Sequence, residues 1–301
     1  MPVVIETATS LSPDDAAAVR ALATAAGSAD GVAPLSEQTL LRLADDSGAI
    51  QHLLARRDGE VIGYAEVEAA GAGDTAEFAA ELMVGPHHRR QGTGRELAEA
   101  AVTLAGAAQL RVWAHGDGAG ARALAERMAF VRSRVLLQMR RDLAGELPAA
   151  QWPPDMVVRT FKPGGDEAAW LAVNAAAFAT HPEQGRWRMA DLEQRESQDW
   201  FDPHGFFLAE REGKLVGFHW TKVHRDERPP IGEVYVVGVL PEAGGHGLGR
   251  ALTLAGLHHL QGLGLGSVLL YVDESNVAAL KTYERLGFSR WATDVMYSRQ
   301  A

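Results

Sequence analysis

The alternation of apolar and polar positions predicts the same series of elements twice along the chain. In the first half, the helix-like stretch LSPDDAAAVRALATAA offers Ser12 as an N-cap and Pro13 at the first helical position. Apolar runs then flank Asp58-Gly59 and, in the second half, Glu212-Gly213, as in β-hairpins. A further strand, a glycine-rich turn, a helix, a strand, a helix and a closing strand follow. We expect an α+β fold in which each half starts with a helix and has a central, mostly antiparallel sheet.

The two halves are related as an internal repeat. ELMVGPHHRRQGTGRELAEAA (81–101) aligns with VVGVLPEAGGHGLGRALTLAG (236–256) at a constant offset of 155 residues, and ALAERMAFVRS aligns with KTYERLGFSRW further on. Between the halves, the proline-rich stretch GELPAAQWPP is typical of a linker. In a chain of 301 residues, this predicts domains at 1–144 and 156–301, joined by a linker at 145–155.

The composition excludes several classes of protein and several kinds of site. With 47% hydrophobic and 23% charged residues, the chain is typical of globular proteins, and no apolar run approaches the roughly 20 residues of a membrane span. The absence of cysteine excludes disulfides, thiolate metal ligands and a thiol nucleophile. A net charge of −10 argues against a nucleic-acid-binding surface. The N-terminus lacks a signal-peptide pattern, so we expect a cytoplasmic protein without membrane or nucleic-acid partners, and a monomer.

Two glycine-rich turns carry the first chemical signal. RRQGTG (89–94) and GGHGLG (244–249) each stand between a strand and a helix, where several backbone N–H groups can face a diphosphate. Such glycines can also serve only to tighten a turn, but two copies at matching places favour the binding role. Neither turn ends in the Gly-Lys-Ser/Thr of a P-loop or completes a dinucleotide GxGxxG, which weakens kinase and dehydrogenase interpretations.

The turns resemble the pyrophosphate-binding Q/R-x-x-G-x-G/A turn of the GCN5-related N-acetyltransferases (GNAT), which holds the diphosphate of coenzyme A. Arg89, Gly92 and Gly94 match that turn in full. The second copy departs from it, because Gly244 occupies the leading position. The resemblance implies acetyl-CoA as cosubstrate. Because no arginine stands before Gly247 in the second turn, we expect this turn to bind the coenzyme somewhat more weakly.

SNVAALKTYERLGF (275–288) resembles the GNAT segment in which an Asn begins a helix beside the cofactor and a Tyr faces the thioester sulfur. Asn276 and Tyr283 occupy these places, although a plain helix cap and a half-buried aromatic would look the same. An amine that attacks a thioester needs a base, and the departing thiolate needs a proton donor. We assign these roles to Glu233 and Tyr283, with the backbone N–H groups of Val237 to Val239 polarising the carbonyl.

The N-terminal copy lacks this chemistry. Phe78 stands at the place of Glu233, and Ala125 stands at the place of Tyr283. Its glycine turn is nevertheless the better preserved of the two. We therefore expect a catalytically silent N-terminal domain that can still hold acetyl-CoA.

Longer phrases, including ADGVAPLSEQTL (29–40), GFHWTKVH (217–224) and LLYVDESNVAALKTYERLGF (269–288), resemble the mycothiol synthases, a tandem GNAT family, along most of the chain. The resemblance implies acetyl transfer from acetyl-CoA to the cysteinyl amine of desacetylmycothiol (Cys-GlcN-Ins), which yields mycothiol, a thiol of actinobacteria, and coenzyme A. It assigns substrate contacts to Glu37, Glu183, Lys222, Glu233 and Tyr271. It assigns one coenzyme to Leu82, Met83, Val84, Arg89, Arg90, Gln91, Gly92, Thr93 and Gly94. It assigns a second coenzyme to Val237, Gly238, Val239, Gly244, Gly245, His246, Gly247, Leu248, Gly249, Arg250, Asn276, Val277, Ala278, Ala279, Leu280 and Lys281.

Other interpretations of the same residues stay open. A tandem acetyltransferase acting on an aminoglycoside or a peptide N-terminus would share the turns and Tyr283, and a coenzyme A-binding regulator would bind without turnover. His181, His219 and His224 suggest a metal, but His219 and His224 are five positions apart on a predicted strand and so face opposite sides. We therefore expect no metal site.

Overall fold

The computed structural model describes residues 2–45, 47–69, 77–179, 181 and 184–300, which form eight α-helices and twelve β-strands. Contacts divide the chain into two compact units. The first unit comprises Met1–Leu137, Asp273–Ser275 and Ala292–Ala301, and the second comprises Gln138–Val272 and Asn276–Trp291. The division passes between the units at Gln138, and the boundaries at 144 and 156 remain a prediction.

The first unit is built on a mostly antiparallel sheet. Its elements are β1 (Val4–Ala8), α1 (Pro13–Asp30), α2 (Glu37–Arg42), β2 (Ile50–Arg57), β3 (Glu60–Ala69), β4 (Glu77–Val84), α3 (Thr93–Ala105), β5 (Gln109–Ala114), α4 (Ala119–Arg127) and the start of β6 (Val131–Asp142). Strands β1 to β4 pair antiparallel in sequence order, and β5 pairs parallel with β4. Residues 295–299 pair antiparallel with the other edge of β5.

The second unit repeats this order. Its elements are the end of β6, β7 (Met156–Thr160), α5 (Glu167–Ala177), α6 (Met189–Glu196), β8 (Phe206–Arg211), β9 (Lys214–His224), β10 (Ile231–Val239), α7 (Leu248–Gly262), β11 (Ser267–Asp273), α8 (Val277–Arg285) and the start of β12 (Ser289–Arg299). Strands β7 to β10 pair antiparallel, and β11 pairs parallel with β10. The predicted α+β fold is therefore confirmed in both halves.

Local sequence patterns correctly predicted a helix cap and two hairpin turns. The Ser12 side chain accepts the Asp15 N–H at 3.1 Å and caps α1. Both hairpin turns have two successive residues with positive φ, 54° and 85° at Asp58-Gly59 and 51° and 74° at Glu212-Gly213, as type I′ turns require.

The prediction that each half starts with a helix is wrong. Strands β1 and β7 come first, and each has only five residues, all of them at least partly exposed. A strand this short, with so few buried positions, leaves little alternation to detect in the sequence. The short helices α2 and α6 were also missed.

Helix α7 lies close against β9 because a glycine faces the strand. A Cβ added to Gly256 would lie 2.1 Å from the ring of His219, which is itself fully buried. This close approach fixes the helix that starts at the second glycine turn.

Candidate functional site

The two glycine turns have the same backbone conformation. Gly245 and Gly247 have φ of 83° and 83°, and their counterparts Arg90 and Gly92 have φ of 61° and 96°. The helices that follow start at Thr93 and Leu248 without a side-chain cap. Their first N–H groups are therefore available to an anion, as the sequence predicts.

Arg89, the residue that completes the first turn motif, is bound within the unit. Its guanidinium donates two hydrogen bonds of 2.7 Å to the Asp30 carboxylate and one of 3.1 Å to the Val84 carbonyl. The hydrogen bonds to Asp30 raise the pKa of Arg89 above its ordinary value. Arg89 thus links the end of α1 to the end of β4 beside the turn.

A cavity of about 1030 Å³ lies beside this turn in the first unit. Seven of the nine predicted coenzyme residues line it: Leu82, Met83, Val84, Arg89, Arg90, Gly92 and Gly94. The other two point elsewhere, because Gln91 bonds Arg57 and the His87 carbonyl, and Thr93 is buried. The volume and the uncapped helix suit a large anionic ligand.

The second unit differs in its central strand. The β9–β10 register shifts between Val234 and Val236, so Tyr235 forms a β-bulge. The parallel β10–β11 ladder ends at Val234, whereas β4 and β5 stay paired to Glu81, the counterpart of Val236. The backbone of Val237 to Val239 lies beyond this ladder, and this geometry suits the predicted contact with a thioester carbonyl.

Helix α6 holds the bulge from one side. The buried Arg195 donates from Nε to the Tyr235 hydroxyl at 2.8 Å, and its guanidinium lies 3.9 Å from the ring centroid of Trp187. No pattern in the sequence pointed to Arg195.

Three predicted substrate residues share one face of the second sheet. Glu233 on β10 pairs in register with Lys222 on β9 and with Leu269 on β11, and Tyr271 follows Leu269 by two positions. Paired residues, and residues two apart, point to the same side of a sheet. Glu233 and Lys222 are 6% and 8% exposed, whereas Tyr271 is 42% exposed.

His224 is a site residue that sequence reasoning considered only as a metal ligand. Its Nε2 lies 2.6 Å from Oε2 of Glu233, the candidate base. Burial opposes a charge on His224, but the bond to Glu233 outweighs it and raises the pKa of His224. The sequence does contain a signal for this role, because His224 stands two positions from Lys222 on the same strand and therefore faces the same side of the sheet.

The other two polar residues of this face also have partners. The Lys222 Nζ lies 4.5 Å from the ring centroid of Trp200 and 5.3 Å from that of Tyr235, in cation–π geometry. Gln138 donates to the Tyr271 hydroxyl at 2.9 Å. Both side chains are therefore oriented before any ligand binds.

Helix α8 starts as predicted. Asn276 is its N-cap and accepts the Ala279 N–H at 3.1 Å. Tyr283 is 7% exposed and packs edge-on against Phe288, and burial raises the pKa of Tyr283 to about 12. Tyr283 thus keeps its proton at neutral pH. That Tyr283 faces the thioester sulfur of acetyl-CoA remains a prediction.

The two remaining substrate residues are not part of this face. Glu37 is the first residue of α2, in the first unit, and is half-buried. Glu183 lies outside the described residues.

The histidines considered as metal ligands are used differently. His219 is buried beneath α7, where its Nδ1 lies 2.7 Å from the Leu252 carbonyl, and burial lowers the pKa of His219 to about 4. In the described part of the chain, no three His, Asp or Glu side chains converge in a way that could hold a metal ion. Nor does any helix there combine the length and apolarity needed to cross a membrane.

The sequence model of the acetyltransferase (GNAT) family matches residues 19–130 and again residues 170–288. The chain belongs to the acetyltransferase (GNAT) family. The double match confirms the duplication, and membership makes this GNAT protein an acetyl-CoA-dependent N-acetyltransferase.

Curated relatives of this GNAT protein align along nearly its whole length. It is 57% identical to the mycothiol acetyltransferase of Thermomonospora curvata, over 93% of this chain and 92% of the relative. It is 54% identical to that of Thermobispora bispora (95% and 97%) and 51% identical to that of Streptomyces coelicolor (97% and 94%).

Solved GNAT structures share the fold. A tandem GNAT protein from the clavulanic acid biosynthesis pathway matches with a TM-score of 0.75 at 18% identity, over 99% of this chain and 98% of that one. A GCN5-related N-acetyltransferase from Sphaerobacter thermophilus matches with a TM-score of 0.71 at 25% identity, over 99% and 95%.

Proposed function

We propose that this chain is a mycothiol synthase, which acetylates the cysteinyl amine of desacetylmycothiol (Cys-GlcN-Ins) and releases mycothiol and coenzyme A. The observation that carries the proposal is the 57% identity to a mycothiol acetyltransferase over 93% of the chain. An alignment that covers 93% of the chain spans the strands on which Lys222, Glu233 and Tyr271 lie.

Glu233 is the proposed base. The substrate amine must lose a proton before it attacks, and a carboxylate that faces the amine can accept this proton directly or through water. The Glu233 carboxylate is bound at one oxygen by His224, 2.6 Å away. His224 thereby leaves the other oxygen to face the ammonium, while Lys222 and Tyr271 can donate hydrogen bonds to sugar oxygens.

The remaining groups act on the thioester that acetyl-CoA supplies. The backbone N–H groups of Val237 to Val239 are proposed to polarise its carbonyl. Tyr283 is the proposed donor to the departing sulfur. Because burial raises the pKa of Tyr283 to about 12, it acts mainly as a hydrogen-bond donor. Complete transfer of its proton to a thiolate with a pKa of roughly 8.5 would be uphill.

The first unit is proposed to bind acetyl-CoA without turning it over. Its cavity and uncapped helix suit the coenzyme. In contrast, β4 carries Phe78 where β10 carries Glu233, and it pairs with β3 without a shift in register. Between Glu77 and Val84, β4 therefore has neither a carboxylate at the position of Glu233 nor a bulge like that of β10.

The proposal is tested by the release of coenzyme A thiol from acetyl-CoA and Cys-GlcN-Ins, which we expect to be rapid with the wild type. Tyr283→Phe should lower kcat by about tenfold to a hundredfold, the equivalent of one lost hydrogen bond to the developing thiolate. Glu37→Ala should raise KM for Cys-GlcN-Ins, whereas Glu60→Ala, a change of an exposed acid in the same unit, should not.

Other substrates decide between this function and its alternatives. Turnover with an aminoglycoside or a peptide, but not with Cys-GlcN-Ins, would overturn the mycothiol assignment and leave the acetyltransferase standing. Binding of acetyl-CoA without turnover of any amine would favour a regulator. A monomeric state and a cytoplasmic location remain predictions.

A further inference from the structure

Three matching strand positions have opposite chemistry in the two units. In the first unit they are His52, Glu66 and Glu81, which pair side by side across β2, β3 and β4. All three side chains are buried, with exposed fractions of 0%, 3% and 9%. They therefore form a row of titratable groups inside the first unit.

The second unit has apolar residues at the same positions. Phe206, Trp220 and Val236 pair in the same way across β8, β9 and β10 and belong to the aromatic core of that unit. Burying a carboxylate is costly unless it is well paired. Because apolar residues occupy these positions in one copy, the sheet itself does not require acids at the same positions in the other copy.

The partners of Glu81 keep it ionised inside the protein. Burial alone would raise the pKa of Glu81, but His115 and Ser36 hold it below its ordinary value. His115 lies 3.4 Å from Glu81 and 3.2 Å from Asp294. Glu81 is therefore an anion with fixed neighbours.

The acids of the first unit hold both ends of α2. At its start, the Ser36 N–H donates to Glu81 at 2.6 Å. At its end, Arg42 lies 3.4 Å from Glu66 and also bonds the Glu68 carboxylate. A helix of one or two turns is not stable by itself, so these contacts set its position.

We propose that Glu81 and Arg42 are positioning residues for substrate binding, because they fix α2 so that Glu37, its first residue, meets the substrate. The inference rests on the role of Glu37 in the proposed function. It explains why one copy of the repeat keeps buried acids where the other has an aromatic core.

The test is steady-state kinetics with Cys-GlcN-Ins and acetyl-CoA on Glu81→Gln, Arg42→Met and Glu37→Gln, alone and combined. Each single change should raise KM for Cys-GlcN-Ins by about tenfold, the equivalent of one lost charge-assisted bond, with kcat and KM for acetyl-CoA within about twofold of the wild type. In the Glu37→Gln background, Glu81→Gln and Arg42→Met should add less than about twofold, since contacts that act through Glu37 are not additive.

The control is Arg56→Met. Arg56 contacts Asp15 of a different helix, α1, at 2.5 Å, so its loss should lower the melting temperature but leave KM for Cys-GlcN-Ins unchanged. If Glu81→Gln does not fold, Arg42→Met still tests the inference, because Arg42 is only half-buried.

Effects on KM that persist in full without Glu37 would overturn the inference, as would a uniform loss of kcat. Failure of the proposed function looks different, because the wild type would then not turn over Cys-GlcN-Ins at all. If Glu37→Gln leaves KM for Cys-GlcN-Ins unchanged in an active enzyme, Glu37 does not bind the substrate, and this inference is then wrong as well.

Discussion

At the residue scale, the pair formed by His224 and Glu233 connects pH to activity. The bond to Glu233 raises the pKa of His224, so the imidazole gains its proton at a higher pH than a free histidine. Below that pKa, the imidazolium carries a positive charge 2.6 Å from the Glu233 carboxylate, and this charge opposes the arrival of a further proton from the amine. We therefore expect kcat to fall as the pH drops through the pKa of His224.

His224→Gln tests this dependence. A glutamine amide can donate to Glu233 but cannot titrate, so the acid limb of kcat should move to lower pH while the plateau stays within about threefold. The measurement is kcat at saturating substrates across the neutral range. His204→Gln, a change of an exposed histidine in the same unit, should reproduce the wild-type profile. An unmoved acid limb in His224→Gln would contradict the prediction.

At the element scale, the turn between β10 and α7 depends on a left-handed residue. Gly247 has φ of 83°, and a Cβ there would meet no atom within 4 Å. Gly247→Ala should thus lower the free energy of unfolding through backbone strain alone, by about 1 kcal/mol. Because the strained residue precedes the helix N–H groups, KM for acetyl-CoA should rise severalfold.

Gly264→Ala is the matched control for that change. Gly264 follows the other end of α7, with φ of 78° and the same open surroundings. Denaturant unfolding should give a similar loss of stability for both variants, whereas only Gly247→Ala should change KM for acetyl-CoA. Equal KM values would show that the turn does not bind the coenzyme.

Signals within one element were predictable from the sequence, and contacts between elements were not. Ser12, the hairpin glycines, both turns and Asn276 act within a few residues, so their types reveal their roles. The bonds of Arg195 to Tyr235 and of Arg89 to Asp30 span 40 and 59 positions. Only strand register and helix placement bring such residues together, and neither is written in a local pattern.

At the scale of the whole molecule, the two copies should differ in what they do with acetyl-CoA. Titration calorimetry of the wild type should give about two acetyl-CoA per chain. Gly94→Glu and Gly249→Glu place a carboxylate at the second residue of α3 and α7, where it would repel a diphosphate. Each variant should bind one coenzyme, and only Gly249→Glu should lose turnover. Loss of turnover in Gly94→Glu would refute a silent first unit.

The distribution of the chain between the units also sets an order of assembly. Residues 295–299 form the strand beside β5 in the first unit, and they are synthesised after almost all of the second unit. A chain that ends at residue 144 therefore lacks the strand that covers this edge of β5 in the complete protein, and an uncovered strand edge exposes unpaired backbone groups. The first unit can therefore complete its sheet only after the second half of the chain has been synthesised, and we expect a fragment cut at the linker to be prone to aggregation.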